Sequence, residues 1–383
     1  MELLYKGFDG LEIAFNAQIS EAFDTALAEA KEAASKAMEP HLLYFNDTPI
    51  HVAETGSRGG YAYRCDTGPD GATWFFKRPN RADGWGVRVS VKSLPLALYG
   101  LGGVRARLYA FLDALGIEAR PGCESIGRVD YAVDVLAPDF ILNGESFVMH
   151  SHANRADHFD APPFVQHGKS GRLTSVTIGK MPGRQVIVYD KREEVVAKRK
   201  VEWWEIWNAG RTRQGQPLLD PGDRESSQVW RVELRAGKKH LKESWGITTW
   251  PQFDDQIGKL FLKALEAVRY TLPQADRNRS RWPLHPLWKL TENEVSDDLY
   301  EMIAEADPVL VKTVKRQAHY DMLISQITGL VASIGALTEV KSGQEAELVE
   351  SIRREIVQTA ARQPRHFARK MERAAARYAF INS

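Results

Sequence analysis

The chain has 383 residues, 43% of them hydrophobic and 26% charged, with a formal net charge of +1. That composition fits a globular main domain with an appendage and excludes a disordered chain or a polycation. A nucleic-acid surface, if there is one, must come from segregated charge rather than from an excess.

Cys65 and Cys123 are too few for a disulfide framework and lack metal-ligand spacing, so a reduced cytoplasm is the expected location. The N-terminus has no basic stretch followed by an apolar run, so no signal peptide is expected. No membrane partner is expected either, because no run of ~18 apolar residues is uninterrupted. The most apolar stretch, 324–337, contains Ser325, Gln326, Thr328, Ser333 and two glycines.

In chain order, residues 17–38 are rich in Ala, Glu and Lys and predict an amphipathic helix stopped by Pro40, within an N-terminal segment 1–40. Strands are predicted at 61–65 and 74–77 around a turn at 66–71. Residues 86–92 alternate, with Val87, Val89 and Val91 on one face and Arg88, Ser90 and Lys92 on the other. Leu98, Leu101, Val104, Leu108, Leu112 and Leu115 give helical spacing over 94–116. Strands follow at 127–136, 174–180 and 185–191, the last two joined by a hairpin loop. Residues 192–209 read as a helix, 210–226 as a polar loop, 229–235 as a strand and 254–271 as a helix. A Pro-rich boundary at 281–286 closes a main domain over 41–290, and 291–383 reads as helical. The expected fold class is α+β, with one or two antiparallel sheets, helices packed on the outer face and a helical C-terminal region.

The strand faces carry the chemistry. In RVDYAVDV (128–135), Val129, Tyr131, Val133 and Val135 share one face, and Arg128, Asp130, Ala132 and Asp134 the other. In WRVELR (230–235), Arg231, Glu233 and Arg235 oppose Trp230, Val232 and Leu234. In QVIVYDK (185–191), Tyr189 and Lys191 oppose Val186, Val188 and Asp190. Paired carboxylates beside arginines are costly to bury unless paired or metal-bound.

On neighbouring antiparallel strands these groups converge, which suits phosphodiester chemistry. A tyrosine hydroxyl, with an ordinary pKa of ~10, is a weak nucleophile, and a cation such as Lys191 favours its phenolate. Asp130 and Glu233 are oxygen donors suited to Mg²⁺ or Mn²⁺. Arg128, Arg231 and Arg235 are candidates to grip phosphates. The structural alternative is a half-solvated sheet glued by cross-strand Asp–Arg pairs, with Tyr189 in the core.

These segments resemble the replication initiation factor family of rolling-circle plasmids and filamentous phages. The resemblance lies in WGVRVSV (85–91), RVDYAVD (128–134), TIGK (177–180) followed by VIVYDKREE (186–194), and WRVELR (230–235), spread over 42–245. It implies a DNA nickase in which Tyr189 attacks one strand of an origin, forms a 5′-phosphotyrosine and frees a 3′-OH. It implies Asp130 and Glu233 as metal ligands, with Asp134 and Glu193 as further candidates. Many other rolling-circle initiators bind metal through two histidines flanking a hydrophobic residue. The nearest match here, His150-Ser151-His152 with His158 following, has Ser151 in between and reads as a solvated loop. The alternatives are a metal nuclease that uses His150 and His152 with water as nucleophile, and a DNA-binding replication or regulatory protein of a phage or plasmid that does not cut.

Trp203, Trp204 and Trp207 lie on the helix after Tyr189, with Trp204 the candidate for base stacking and core packing the alternative. Arg88, Lys92, Lys238 and Lys239 are candidates for a phosphate-tracking groove, and Lys180 and Arg184 for a groove-inserting hairpin tip. Between residues 353 and 377 eight basic residues face two acidic ones, a pattern that suits DNA, an acidic partner or a bundle helix. The expected partner is DNA, single-stranded or as an extruded hairpin origin. A host helicase and a second copy of the chain are further candidates for the C-terminal helices.

Overall fold

The computed structural model describes residues 1–149, 163–295, 299, 306–341 and 343–382. It divides into two compact units, Met1–Asp307 and Pro308–Ser383. His150, His152 and His158 lie outside the described residues.

In the first unit the described strands are β1 (Glu2–Phe15), β2 (His41–Phe45), β3 (Thr48–Val52), β4 (Tyr63–Asp66), β5 (Ala72–Phe76), β6 (Val87–Val91), β7 (Glu124–Leu136), β8 (Phe147–Met149), β9 (Phe164–Lys169), β10 (Arg172–Gly179), β11 (Arg184–Asp190), β12 (Val229–Gly237) and β13 (Val268–Tyr270). Eleven of them form one antiparallel sheet, ordered β2-β3-β4-β5-β6-β1-β7-β12-β11-β10-β9. β13 pairs with β8 apart from it. The helices are α1 (Glu21–Ala37), α2 (Ser93–Ala114), α3 (Lys191–Ala197), α4 (Glu202–Arg213), α5 (Trp250–Ala267) and α6 (Pro286–Glu294). This is the expected α+β architecture.

Alternation gives the sheet one apolar face. Phe8, Ile13, Phe15, Val129, Tyr131 and Val133 are buried on it. Phe8 meets Phe253 and Phe261 of α5, and Phe15 meets Tyr109 of α2. α1 adds Phe23 against Phe76, and its first turn is capped by the Ser20 side chain, which accepts from the Phe23 N–H. The opposite face keeps the polar side chains of β7, β11 and β12, and part of it is covered by α4.

The most consequential difference from the sequence reading lies at the N-terminus. Residues 1–40 hold the expected helix, but also β1, which joins the two halves of the sheet by pairing β6 on one side and β7 on the other. Its pattern is blurred by bulges at three places along the pairing with β7, so strict period-2 alternation fails there. The expected helix at 192–209 is two helices, broken where Arg199 takes φ 50°. The hairpin between β10 and β11 depends on Gly179, at φ +92°, where a Cβ would meet the Arg184 carbonyl oxygen at 2.1 Å.

The second unit is helical among its described residues: α7 (Pro308–Leu337), α8 (Glu345–Arg362), α9 (Pro364–Arg377) and α10 (Ala379–Asn382). Pro364 opens α9, and Arg362 ends α8. Ile356, Val357 and Phe367 are largely exposed. A cleft of about 930 Å³ runs between α7, α8 and α9, lined by Ile327, Val331, Ile352 and Phe367 among others.

The sequence reading expected no segment able to span a membrane. By length and composition α7 qualifies, with a mean hydropathy of 1.3 and 6% of that window buried. The interrupting residues are less polar in a helix than they look. The hydroxyls of Thr328 and Ser333 donate to the carbonyls of Ile324 and Gly329, each at 2.9 Å.

Candidate active site

The register of the central strands assembles the polar face. Tyr189 on β11 stands directly across from Arg231 on β12, and Arg231 across from Asp134 on β7. Further along the same face, Arg235 pairs with Asp130, and Glu233 lies between Arg231 and Arg235 on β12. Tyr189, Glu233 and Asp130 therefore share one face of three adjacent strands.

Two layers of charge are distinct. The inner layer is Arg231, fully buried, bonded to Asp134 at 2.5 and 2.8 Å and to Asp9 at 2.5 Å. Trp207 donates its indole N–H to Asp134 at 2.8 Å, and Arg231 lies 4.4 Å from the ring centre of Trp203. Burial alone would raise the Asp9 carboxyl, but Arg231, with Lys191 and Lys200, holds it below its ordinary value. Arg231 is thus a structural cation and not the exposed phosphate grip expected of it. Asp134, with both oxygens engaged and no exposed surface, is correspondingly poorly placed as a metal ligand.

The outer layer is Asp130 and Glu233 with their arginines. Arg128 binds Asp130 through two hydrogen bonds of 2.6 and 2.9 Å, and Arg235 binds Glu233 at 2.6 Å. The carboxylates are buried, whereas the side chains of Arg128 and Arg235 are 31% and 29% exposed, so the cations form the accessible rim. Burial raises the Asp130 carboxyl to about 6, Arg128 opposes this, and the neighbouring Glu233 charge adds to it. Gly10 on β1 leaves the room that Asp130 occupies: a Cβ there would lie 2.7 Å from Asp130 Oδ2.

Tyr189 is half-buried. Its hydroxyl is held well above the ordinary value, chiefly by burial and by the charge of Glu233, with Arg231 opposing. Lys191 does not play the part expected of it. It starts α3 rather than continuing β11, is buried, and gives its ammonium to Glu194 at 2.6 Å. Its ammonium lies over the Tyr189 ring, 5.7 Å from the ring centre. Burial, reinforced by Arg231, lowers its own pKa.

The remaining candidates scatter. Glu193 is on α3, paired with Lys169 at 2.6 Å and Arg172 at 3.2 Å, away from Asp130. Trp203, Trp204 and Trp207 are all buried, so Trp204 offers no open stacking face. Lys180, Lys238 and Lys239 are exposed and adjoin one another, because the Gly237 N–H donates to the Gly183 carbonyl and that of Lys239 to Pro182. They sit at the far end of β11 from Tyr189. Arg184 alternates onto the apolar side with Val186 and Val188, beside His240, whose pKa is lowered to about 4 by burial and then by the Arg184 charge. Lys92 is exposed at the start of α2, and Arg88 sits on β6. Asp9 and Gly10 went unnoticed in the sequence because β1 was not recognised as a strand.

Among the described residues no cluster of three metal-binding side chains occurs. The residues present fit a divalent ion in a narrower sense. Asp130 and Glu233 are two hard oxygen donors near enough that the Glu233 charge adds to the raised Asp130 value, and Mg²⁺ commonly takes one or two carboxylates and completes its shell with water and phosphate.

No protein-family model matches the chain, and no curated protein matches it. Among solved structures the chain is similar to one described as the rolling circle replication initiator protein from Geobacillus stearothermophilus. The TM-score is 0.40 and the identity 14%, over 78% of this chain and 99% of that one.

Proposed function

We propose that this chain initiates rolling-circle replication by nicking and rejoining one DNA strand through Tyr189. The observation that carries the reading is the register that sets Tyr189, Glu233 and Asp130 on one face of β11, β12 and β7, behind a rim of Arg128 and Arg235. The order of the sequence motifs supports it.

In the proposed step the Tyr189 hydroxyl oxygen attacks a backbone phosphorus and the bond to the 3′-oxygen breaks. The phenolic proton ends on that 3′-oxygen, leaving a 5′-phosphotyrosine and a free 3′-OH, and reversal rejoins the strand. Arg128 and Arg235 exchange their carboxylate partners for phosphate oxygens as DNA arrives. Asp130 and Glu233 would hold Mg²⁺ or Mn²⁺, whose charge favours the phenolate and polarises a phosphate oxygen. Arg231 fixes the strand register beneath the nucleophile. Single-stranded or extruded hairpin DNA is the expected substrate, because a nucleophile on a sheet face does not reach a phosphate inside an undistorted duplex.

The test is cleavage of end-labelled single-stranded, hairpin and linear duplex DNA with and without Mn²⁺. The reading expects metal-dependent cutting of the first two, and equal cutting of linear duplex would contradict the substrate assignment. A second reading, a DNA-binding replication protein that does not cut, is favoured by the arginines that already satisfy both carboxylates. Undiminished plasmid replication by Tyr189→Phe would select it.

A further inference from the structure

The half of the sheet remote from Tyr189 carries a cluster that this chemistry leaves unused. The polar face continues across β1 to β6, where Arg88 stands opposite Ala14 on one side and Phe75 on the other, and Phe75 opposite Arg64. The Arg88 guanidinium lies 4.2 Å from the ring centre of Phe75 and 4.9 Å from that of Tyr61. The Lys77 ammonium lies 5.1 Å from the same tyrosine ring. Tyr61 is brought there by a loop in which Gly59 and Gly60 take φ 87° and 82°, and Ser57 and Tyr61 form a bridge across it.

Two features separate this cluster from ordinary surface glue. The Arg88 Nε is buried and has no hydrogen-bond partner, while Nη2 donates to the Ser57 hydroxyl at 3.3 Å. A buried donor without an acceptor is uncommon in folded proteins, and a small turn of the guanidinium toward an arriving acceptor would satisfy it. The surroundings are also basic: seven basic and three acidic residues lie between Ser57 and Lys92, and one of the acids, Asp83, is taken by Lys77 at 2.6 Å. Arg64 is exposed beside Phe75.

We propose that Tyr61, Phe75 and Arg88 form a platform for unpaired DNA bases flanking the strand that Tyr189 cuts, an inference that rests on the proposed nickase reading. Aromatic faces stack on bases whose own faces are open, and a neighbouring guanidinium serves both the base and its phosphate. A site for duplex backbone alone has no use for two rings. Tyr189 and Arg88 are four strand steps apart, and they stand level with Tyr5 and Ala14 of β1, nine residues apart along the strand. At ~4.8 Å per step and ~3.3 Å per residue this is roughly 35 Å, so an extended single strand can run diagonally along one continuous face from nucleophile to platform.

The test uses the full chain, without divalent metal, and measures fluorescence anisotropy with labelled single-stranded oligonucleotides and with blunt duplex at one salt concentration. Phe75→Ala and Phe75→Leu should weaken single-strand binding about tenfold and leave duplex binding unchanged, with unaltered thermal melting. Phe75→Leu keeps the apolar bulk and so separates stacking from folding. Arg88→Lys keeps the charge but loses the planar stack, and should also weaken single-strand binding. Wild-type affinity in a folded Phe75→Leu, equal losses on single strand and duplex, or no single-strand binding by the wild type would each overturn the platform. The two readings fail separately. Wild type that forms no covalent adduct but binds single strands through Phe75 refutes the nickase alone. Adduct formation with indifferent Phe75 variants refutes the platform alone.

Discussion

Asp134 and Arg231 face each other across the pairing of β7 and β12, neither with any exposed side-chain surface, joined by two hydrogen bonds of 2.5 and 2.8 Å. Removing one member of such a pair leaves an uncompensated buried charge. Asp134→Ala should therefore destabilise the first unit by about 3–5 kcal/mol, read from urea unfolding. Asp134→Asn, which keeps an acceptor for Trp207, should cost less. A loss under ~1 kcal/mol for the alanine variant, the size typical of exposed pairs, would show that the pair does not hold the register.

Cleavage should have an acid limb set by Asp130. Its carboxyl is raised to about 6, so it carries a proton below that pH and loses its capacity as a metal ligand. Glu233→Gln removes one of the causes, so whatever cleavage remains should show its limb at lower pH. The sign for stability is opposite to that of a salt-bridged acid. The folded value lies above the ordinary 3.8, so this group's contribution is fully present below about pH 4 and is lost as the pH rises through 6. A pH–rate profile flat down to pH 4.5 would contradict the assignment.

Gly10→Ala should separate activity from folding. The new Cβ would fall 2.7 Å from Asp130 Oδ2, so the carboxylate must turn away. Metal-dependent cleavage should drop by at least about tenfold, with a stability loss within the ~1–3 kcal/mol typical of overpacking. Unchanged cleavage would mean that the position of Asp130 is immaterial.

Gly179→Ala should loosen the β10–β11 hairpin. The residue sits at φ +92° and its Cβ would overlap the Arg184 carbonyl. A cost of about 1–3 kcal/mol is expected from the backbone conformation alone, with faster limited proteolysis at residues 180–184. Wild-type urea and proteolysis curves would refute it.

Much of the polar face was legible in the sequence because a strand's period of two needs no tertiary information. Arg128, Asp130, Arg231, Glu233 and Tyr189 were placed on their faces from alternation alone, and the register confirms the convergence. What alternation cannot show is depth. Arg231 and Arg235 look equivalent on β12, yet Asp9 and Asp134 bury the first while the second stays on the rim. Asp9 belongs to β1, whose bulges hid the strand, so the partner that decides the role of Arg231 was missing from the reading. Lys191 failed for a related reason: β11 ends at Asp190, whose side chain accepts from the Glu193 N–H and starts a helix, so the alternation that would have put Lys191 beside the phenol stops one residue early. On α7, counting polar residues overlooked that a helix satisfies its own hydroxyls.

The most direct measurement is a denaturing gel of wild type and Tyr189→Phe after incubation with Mn²⁺ and labelled single-stranded or hairpin origin DNA, followed by peptide mapping of any adduct. A covalent protein–DNA band in the wild type that maps to the peptide containing Tyr189 and is lost in the phenylalanine variant is the predicted result. Cleavage without an adduct, or an adduct that survives Tyr189→Phe, would contradict the central claim.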